Sequence, residues 1–486
     1  MPPFLNVTAG DLASVAPEIV LSLAGILLIF LDAFARPTRP AFPALTLAAL
    51  ALANVVGAVG PGTWFAGAVE TSALTRFVEV LALAGAALAV LGGSAALARD
   101  GKNQGEFYAF LLWSAAGVLL MVKGADLLVV FIGLELMSLP LYVLASWYRE
   151  VPASAESGMK YFLMGAFSSA ILLYGIATLY GRMGTTRFPR LAGLVTTNPA
   201  AGFDPLVAVG LVAILAALAF KMSLVPFHAW APDVYQGMTT PAVSFLSTVP
   251  KAAAALVVVR LLHALFPDGL GDPWRPLMGL LAVLSILFGN VVALAQRDLK
   301  RMLAYSGIAQ MGYLAIAIAT LSADAVEGGL VFLAGYLVTN VAAFLSVAAL
   351  SSGEKEPKTL ADLGGLGRRH PVAASILTLA MLSLTGLPPT VGFIGKLLIF
   401  RSAVDAGLVS LALVGIAGSV VSVGYYLRVV YVLWMKEATR EVPLHEDDVL
   451  AGAAWILTAA GILLLGLFPR ALIDVARTAV SSLALR

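Results

Sequence analysis

Two lysines and one glutamate lie deep inside long apolar stretches of the sequence, where ionised groups are rare. Lys221 lies roughly 24 Å and 16 Å from the two ends of a straight helix over 205–232, which is too far for its amine to reach water at a membrane surface. Lys251 and Glu135 are similarly central in their own stretches. An ionised group at the centre of a membrane helix costs about 2.5–3.5 kcal/mol, so a purely structural use of three such groups is expensive. We therefore expect these side chains to carry a function.

The chemistry available to such groups is proton transfer. Burial favours the neutral form of an amine, and an approaching carboxylate favours the charged form. Moving Glu135 toward or away from Lys221 would therefore load or unload a proton without any cofactor. The alternative is a buried ion pair between these two residues that only orders the helices, and this alternative leaves Lys251 without an obvious acidic partner.

Prolines interrupt two of the apolar stretches, and each interruption has a lysine beside it. The sequence reads KMSLVPFHAWAPD around Pro226 and SLTGLPPTVGFIGK around Pro389. Proline removes a backbone donor, and broken helices at bilayer depth are typical of ion transporters, although a single proline also produces simple kinks. The second interruption adds Lys396 to the candidates, and the first adds His228, whose imidazole titrates near neutral pH but could equally be a hydrogen-bonded core residue.

Lys160 is a secondary candidate because it lies at or near the end of an apolar stretch. There its amine could serve in proton transfer or could simply reach the membrane surface.

The composition excludes most other classes of protein. The chain has 486 residues, of which 60% are hydrophobic and only 12% charged. So few charges cannot cover the surface of a water-soluble protein of this size. The net charge of +2 offers no basic field for nucleic acid. With no cysteine, four histidines without ligand spacing and no GxGxxG motif, we expect no metal, flavin or nucleotide in this chain.

Apolar stretches of about 20 residues predict an all-α polytopic membrane protein with about 14 transmembrane helices, the seventh and twelfth of them broken. The connections that follow odd-numbered helices are rich in Lys and Arg, which places them in the cytoplasm and both termini on the outer side. The basic residues on which this orientation rests are Arg36, Arg39, Arg99, Lys102, Arg149, Arg297, Lys300, Arg301, Lys355, Lys358, Arg368, Arg369, Lys436 and Arg440.

A weak internal repeat divides the chain. Lys221 and Lys396 are 175 positions apart, whereas the two prolines Pro226 and Pro389 are 163 positions apart. We expect an N-terminal three-helix segment over 1–105, two related five-helix units over 106–266 and 273–435, and a C-terminal helix within 436–486. An odd number of helices per unit gives the two units inverted topology.

Several stretches in a fixed order resemble a known family. They are GLELMSLPLYVLASW, GMKYFLMGAFSSAILLYGIATLYG, KMSLVPFHAWAPDVYQGMTTPAVSF, RDLKRMLAYSGIAQMGY and SLTGLPPTVGFIGK. Together they resemble the antiporter-like membrane subunits of respiratory complex I, and two of them look most like the subunit N branch. The resemblance implies a 14-helix fold with two inverted antiporter-like repeats, in the inner (plasma) membrane of a bacterium.

The resemblance also implies roles for individual residues. Glu135 and Lys221 match the coupling pair of the family, Lys251 the central relay and Lys396 the far end of the axis. Lys160 and His228 match positions regarded as secondary.

We therefore expect a proton-translocating subunit of a NADH:quinone oxidoreductase, which takes part in the enzyme as a translocase and does no redox chemistry itself. Flavin, iron–sulfur clusters and quinone would belong to partner subunits, and the neighbours in the membrane would be subunits of the K and M types. The alternatives are a subunit of a multi-subunit cation/proton antiporter, a subunit of a related membrane hydrogenase or ferredoxin-linked complex, and a structural spacer.

Overall fold

The computed structural model describes residues 7–35, 41–99, 101, 104–267, 273–350, 359–438 and 449–483. The N-terminal part contains four helices and a short antiparallel hairpin. These elements are α1 Ala9–Ser14, α2 Ala16–Phe30, α3 Ala41–Val56, β1 Gly62–Trp64, β2 Val69–Thr71 and α4 Ala73–Arg99.

Eight helices follow in the first half of the chain. They are α5 Gly105–Lys123, α6 Leu127–Ala145, α7 Pro152–Met183, α8 Phe188–Thr197, α9 Pro205–Met222, α10 Trp230–Gly237, α11 Thr240–Leu246 and α12 Val249–Leu265. The second half contributes α13 Arg275–Ala295, α14 Leu299–Thr320, α15 Ala323–Ala349, α16 Leu366–Arg369, α17 Pro371–Thr385, α18 Val391–Asp405, α19 Val409–Met435, α20 Val449–Leu467 and α21 Arg470–Ser481.

The expected all-α membrane architecture is confirmed. Within the described ranges, 12 helical segments are long and apolar enough to cross a membrane, with α11 and α12 counted as one span. Two shorter apolar helices, α3 and α17, lie where two more spans are expected, so the number of about 14 stays a prediction. In the range 436–486, where one helix is expected, α20 is followed by the shorter α21.

Both expected interruptions are present, and they share a backbone pattern. Helix α9 ends at Met222, Ser223 adopts a left-handed conformation, and α10 begins at Trp230. In the same way α17 ends at Thr385, Gly386 is left-handed, and α18 begins at Val391. The left-handed residues are 163 positions apart, which is the offset of the two prolines rather than that of the two lysines.

The structure contains a third interruption, which the sequence analysis did not predict. The span that contains Lys251 is bent at Ser247 and Thr248, between α11 and α12. The hydroxyl of Thr248 donates to the carbonyl oxygen of Ser244 at 3.0 Å, a local bond that competes with regular helix geometry. Lys251 therefore lies in the first turn of α12 rather than in the middle of a straight helix.

Several spans begin at an acidic or hydroxyl cap. The carboxylates of Asp126, Asp204 and Asp298 accept hydrogen bonds from backbone N–H groups in the first turns of α6, α9 and α14. Such caps satisfy donors that lack a partner inside the helix, so they fix where a span starts.

Corresponding helices pack in the same way in the two expected repeats. Helix α5 packs against α6 in the first repeat as α13 packs against α14 in the second, and α7 packs against α9 as α15 packs against α18. The repeat itself stays a prediction. Of the basic residues used for orientation, those that lie outside the described residues are Arg36, Arg39, Lys102, Lys355, Lys358 and Arg440.

Candidate functional site: a row of buried lysines

The three candidate lysines are almost completely enclosed by protein. Lys221, Lys251 and Lys396 are 1%, 0% and 4% exposed, respectively. Each of them lies in or next to a helix interruption, where the backbone supplies polar groups that a continuous helix would use internally. Protein therefore encloses all three amines, and their role in proton transfer stays a prediction.

Lys221 lies in the last turn of α9 and is held by hydroxyl groups. Its Nζ donates to Ser138 Oγ at 2.8 Å and to Tyr142 OH at 3.4 Å. It also lies 5.6 Å from the centre of the Tyr142 ring. The last turn of a helix carries the negative end of the helix dipole, which favours a cation there.

Glu135 lies close to this site but does not form an ion pair with Lys221. Among the described residues, the carboxylate of Glu135 is not within ion-pair distance of the Lys221 amine. It accepts a hydrogen bond from the hydroxyl of Ser169 and acts on Lys221 through space. Glu135 precedes Ser138 by three residues and so lies on the same face of α6 as the hydroxyl that holds Lys221. The two groups therefore interact without a direct ion pair, and their role, as a coupling pair or as a pair that only orders the helices, stays a prediction.

Glu135 is also only half-buried in the isolated chain. It lies on a face of α6 where Ile132 is 55% exposed and Leu139 is 52% exposed. The carboxylate thus opens toward an apolar surface of the bundle, whereas the three lysines are enclosed.

Aromatic rings connect Lys221 to Lys251. Lys221 Nζ lies 5.7 Å from the centre of the Tyr161 ring, which stacks on Trp230 at 4.7 Å. Trp230 meets Tyr235 edge-on at 6.3 Å, and Lys251 Nζ lies 5.7 Å from the Tyr235 ring. Lys221 lies at one end of this series of rings and Lys251 at the other, and the electron-rich ring faces stabilise each amine when it is charged.

Lys251 has no hydrogen-bond partner for its amine, although it is fully buried. A buried amine without a partner is costly as a cation.

Lys396 extends back from α18 across the second interruption. Its Nζ donates to the carbonyl oxygens of Leu384 at 2.8 Å and Thr385 at 3.2 Å, at the end of α17. The amine also lies 4.6 Å from the centre of the Tyr313 ring. The amine thus satisfies carbonyls that the end of α17 leaves without a helical partner.

The two secondary candidates lie apart from the enclosed lysines. Lys160 is half-exposed and forms ion pairs with Glu156 at 2.7 Å and with Asp233 at 2.5 Å. Asp233 also binds Arg301 at 2.5 Å, so Lys160 belongs to an ionic network that borders α10. His228 lies half-buried in the link between α9 and α10, with its ring 4.7 Å from that of Phe288 and its Nδ1 without a partner.

Sequence analysis missed a second buried group of charges. Lys123 Nζ lies 2.6 Å from Glu18 Oε1 and 3.2 Å from Glu79 Oε1, and it donates to the carbonyl oxygen of Ser14 at 2.6 Å. This cluster joins α2, α4 and α5. A signal was available, because Glu18 and Glu79 are lone carboxylates inside apolar stretches, but only the structure shows that both meet one lysine.

The chemical groups around the three lysines are those of hydrogen-bond donors and acceptors. In the part of the chain that the structure describes, no group of three or more His, Cys, Asp or Glu side chains is placed to hold a metal ion. The polar atoms along the row are amines, hydroxyls, amides and carbonyls, which suit proton transfer.

Comparison with known proteins identifies relatives over nearly the whole chain. The family described as NADH:quinone oxidoreductase/Mrp antiporter, TM matches residues 124–422. A protein of Trichlorobacter lovleyi named NADH-quinone oxidoreductase subunit N is 38% identical over 478 residues, which cover 97% of each chain. A protein of the same name from Rhodospirillum rubrum is 37% identical over 96% of each chain.

A solved structure agrees with these sequence relatives. A chain of the respiratory complex I from Thermus thermophilus with bound aureothin superposes with a TM-score of 0.80 at 33% identity, covering 95% of this chain and 98% of that chain. Sequence and fold thus support the resemblance stated above, and this chain belongs to the NADH:quinone oxidoreductase/Mrp antiporter family of membrane proteins.

Proposed function

We propose that this chain is a proton-translocating membrane subunit of a NADH:quinone oxidoreductase, of the subunit N type. The relatives of that name, which are more than a third identical over nearly the full length, support this assignment. In this role the chain takes part in the enzyme as a translocase, and flavin, iron–sulfur clusters and quinone belong to partner subunits.

The proposed path for protons starts at Glu135 and passes Lys221, Lys251 and Lys396. The observation that carries this proposal is the enclosure of three amines along one row, each in or beside a helix interruption. A membrane potential of 100 mV acts on each proton with about 2.3 kcal/mol, so an ungated path would leak protons. On this proposal the charge state of each amine controls whether the next amine can take up a proton.

The carboxylate of Glu135 is half-exposed on the apolar face of α6, and this exposure is the reason to propose a neighbouring subunit there. A carboxylate facing lipid is costly, so a second membrane subunit covers this face in the assembled enzyme. We assign the neighbours to the K and M types and place the basic connections in the cytoplasm and both termini outside. Lys160 and His228 act, on this proposal, as secondary groups at the edge of the path.

The test is proton pumping driven by NADH in inverted membrane vesicles that contain the assembled complex. Lys221→Ala and Glu135→Ala should each reduce pumping strongly, while the amount of assembled complex stays unchanged. Lys436→Ala is the matched control, because Lys436 is exposed beyond the end of α19 and should leave pumping unchanged. Normal pumping in both Lys221→Ala and Glu135→Ala would refute the relay.

A cation/proton antiporter subunit is the second candidate, because the matching family includes Mrp antiporters. Copurification with flavin and iron–sulfur subunits would support the oxidoreductase. A sodium requirement without redox partners would support the antiporter.

A further inference from the structure

The carboxylate of Asp233 binds two cations that come from two different helices. Its Oδ2 lies 2.5 Å from Lys160 Nζ of α7, and its Oδ1 lies 2.5 Å from a guanidinium nitrogen of Arg301 in α14. Asp233 itself belongs to α10, so one side chain joins three helices. Among the ion pairs of the described residues, the pair between Asp233 and Arg301 is the one that joins the two expected five-helix units.

A second residue of α10 adds to the connection with α14. Gln236 lies three positions after Asp233, on the same face of the helix. Its side-chain oxygen accepts a hydrogen bond from Arg301 at 3.2 Å, and its amide donates to the carboxylate of Asp298 at 2.8 Å. Asp298 is the N-cap of α14. The outward face of α10 is therefore bonded to the beginning of α14.

The buried face of α10 carries two rings that belong to the surroundings of the lysines. The ring of Tyr235 lies 5.7 Å from Lys251 Nζ. The ring of Trp230 stacks on that of Tyr161, whose centre lies 5.7 Å from Lys221 Nζ. A displacement of α10 would therefore change the surroundings of both amines.

The position of α10 depends on its neighbours, because the helix is short. It has eight residues, and helices of this length are not stable on their own in water. On one side it packs against α7, where Gly237 comes so close that a Cβ would collide with the carbonyl oxygen of Ala153. On the other side the bonds of Asp233 and Gln236 hold it to α14.

We infer that Asp233 is a positioning residue, whose carboxylate ties α10 to α7 and α14 and thereby keeps the rings of Trp230 and Tyr235 in place beside the lysines. We call this arrangement of Asp233, Lys160 and Arg301 the Asp233 bridge. The inference rests on the proposed proton relay, and it names a group outside the row of lysines on which the relay depends.

The test measures proton pumping driven by NADH in inverted vesicles, at equal amounts of assembled complex. Asp233→Asn keeps the size of the side chain but removes its charge, and should reduce pumping roughly fivefold or more. Asp233→Glu restores the charge and should recover a large part of the pumping. Arg301→Gln should also reduce pumping, and the double variant of Asp233→Asn and Arg301→Gln should lose little more, because both residues act through one pair.

Asp204→Asn is the matched control. Asp204 pairs with Arg182 at 2.6 Å, and this pair joins the end of α7 to the start of α9. Asparagine is also a good N-cap, so α9 keeps its first turn and pumping should stay unchanged. The melting temperature should be the same in Asp233→Asn and Asp204→Asn, because ion pairs that are partly exposed contribute little to stability.

Amide hydrogen exchange reports on α10 directly. In Asp233→Asn the backbone amides of α10 should exchange faster, whereas those of α9 should keep their rate. Asp204→Asn should leave exchange in α10 unchanged. Unchanged exchange in α10 of Asp233→Asn would overturn the Asp233 bridge, as would a loss of pumping that Asp233→Glu does not recover.

These outcomes differ from a failure of the relay itself. If Lys251→Ala abolishes pumping while Asp233→Asn pumps normally, the Asp233 bridge is refuted and the relay stands. If Lys251→Ala pumps normally, the relay is refuted, and exchange in α10 alone decides whether Asp233 holds this helix.

Discussion

Gln310 and Lys396 share one acceptor. Gln310 Nε2 lies 2.9 Å from the carbonyl oxygen of Leu384, and Lys396 Nζ lies 2.8 Å from the same atom. Gln310 also donates to the hydroxyl of Tyr426 at 3.2 Å. The amide of Gln310 therefore connects the end of the lysine row to the hydroxyl groups of α19 and helps to fix the interruption between α17 and α18.

Replacement of Gln310 by leucine should weaken proton transfer at Lys396. The variant keeps the side-chain volume but removes a donor from Leu384 and leaves the Tyr426 hydroxyl one partner short, and each lost buried hydrogen bond costs about 1–3 kcal/mol. We expect NADH-driven pumping to fall roughly fivefold or more. Gln296→Leu is the control, because the side-chain amide of Gln296 donates to Val292 in its own helix, and the substitution should have no effect on pumping. Unchanged pumping in Gln310→Leu would show that this amide is dispensable.

The two hydroxyls around Lys221 should contribute unequally. Ser138 Oγ lies 2.8 Å from Lys221 Nζ, whereas Tyr142 OH lies at 3.4 Å, so the serine holds the amine more firmly. Ser138→Ala should therefore reduce pumping more than Tyr142→Phe does. The initial rate of proton uptake by vesicles, measured at equal amounts of assembled complex, checks this order. The opposite order would indicate that the tyrosine is the working partner of Lys221.

The sequence predicts which helices and residues form this site better than it predicts the contacts between them. Apolar stretches locate the spans, the prolines near 226 and 389 locate two interruptions, and the cost of burial singles out Lys221 and Lys251, because each of these signals is local. The bend at Ser247 and Thr248 also has a proline beside it, Pro250 in the first turn of α12, but the sequence analysis did not single it out.

Contacts between distant spans could not be predicted in the same way. Glu135 and Lys221 are expected as a pair from their charges, but Ser138 holds the amine and Ser169 binds the carboxylate. A serine in an apolar stretch has many possible roles, so its type alone does not select one. The apolar stretch 40–69 likewise suggests one helix, whereas α3 ends at Val56 and a hairpin follows at the glycines around Pro61.

Removal of the amine from the Lys123 cluster should destabilise the N-terminal helices. Lys123→Met leaves the carboxylates of Glu18 and Glu79 buried without their shared cation, which typically costs about 3–5 kcal/mol. We expect a lower melting temperature and less assembled complex. Adding Glu18→Gln to this variant should recover much of the stability, since Glu79 keeps an ion pair with Arg76 at 3.5 Å.

The control for this cluster is Lys160→Met. Lys160 is half-exposed, and exposed ion pairs contribute only about 0–1 kcal/mol. Its melting temperature should therefore stay close to that of the unmodified complex. A melting temperature of Lys123→Met as high as that of Lys160→Met would contradict a structural role for the buried cluster.

Acid should release the contact between α1 and the hairpin. The backbone N–H of Phe65 donates to Asp11, as do the N–H and hydroxyl of Thr8 at 2.8 and 2.7 Å, and these bonds hold the pKa of the Asp11 carboxyl below its usual value. A lowered pKa in the folded state means that the stabilisation is complete above the ordinary pKa of aspartate. It is lost as the pH falls through the lower pKa of the folded state.

Amide hydrogen exchange at Phe65 measures this contact. After correction for the intrinsic pH dependence of exchange, protection should be constant from neutral pH down to the ordinary aspartate range and should decrease below it. Asp11→Asn should show lower protection than the unmodified chain at neutral pH and no such decrease in acid. A pH-independent protection in the unmodified chain would show that Asp11 does not hold the hairpin.

A methyl group at Gly466 should disturb the second interruption from outside. The Cβ of an alanine there would lie 2.1 Å from the carbonyl oxygen of Pro389, a backbone atom that cannot turn aside, so α20 must move away from the link between α17 and α18. Because Lys396 is held by carbonyls at the end of α17, we expect both a lower melting temperature and a loss of pumping. Gly452→Ala lies on the same helix, with nothing within 4 Å of its Cβ, and should change neither quantity except for the small gain that alanine brings to a helix. If Gly466→Ala assembled and pumped as Gly452→Ala does, the packing of α20 would have no part in holding Lys396 in place.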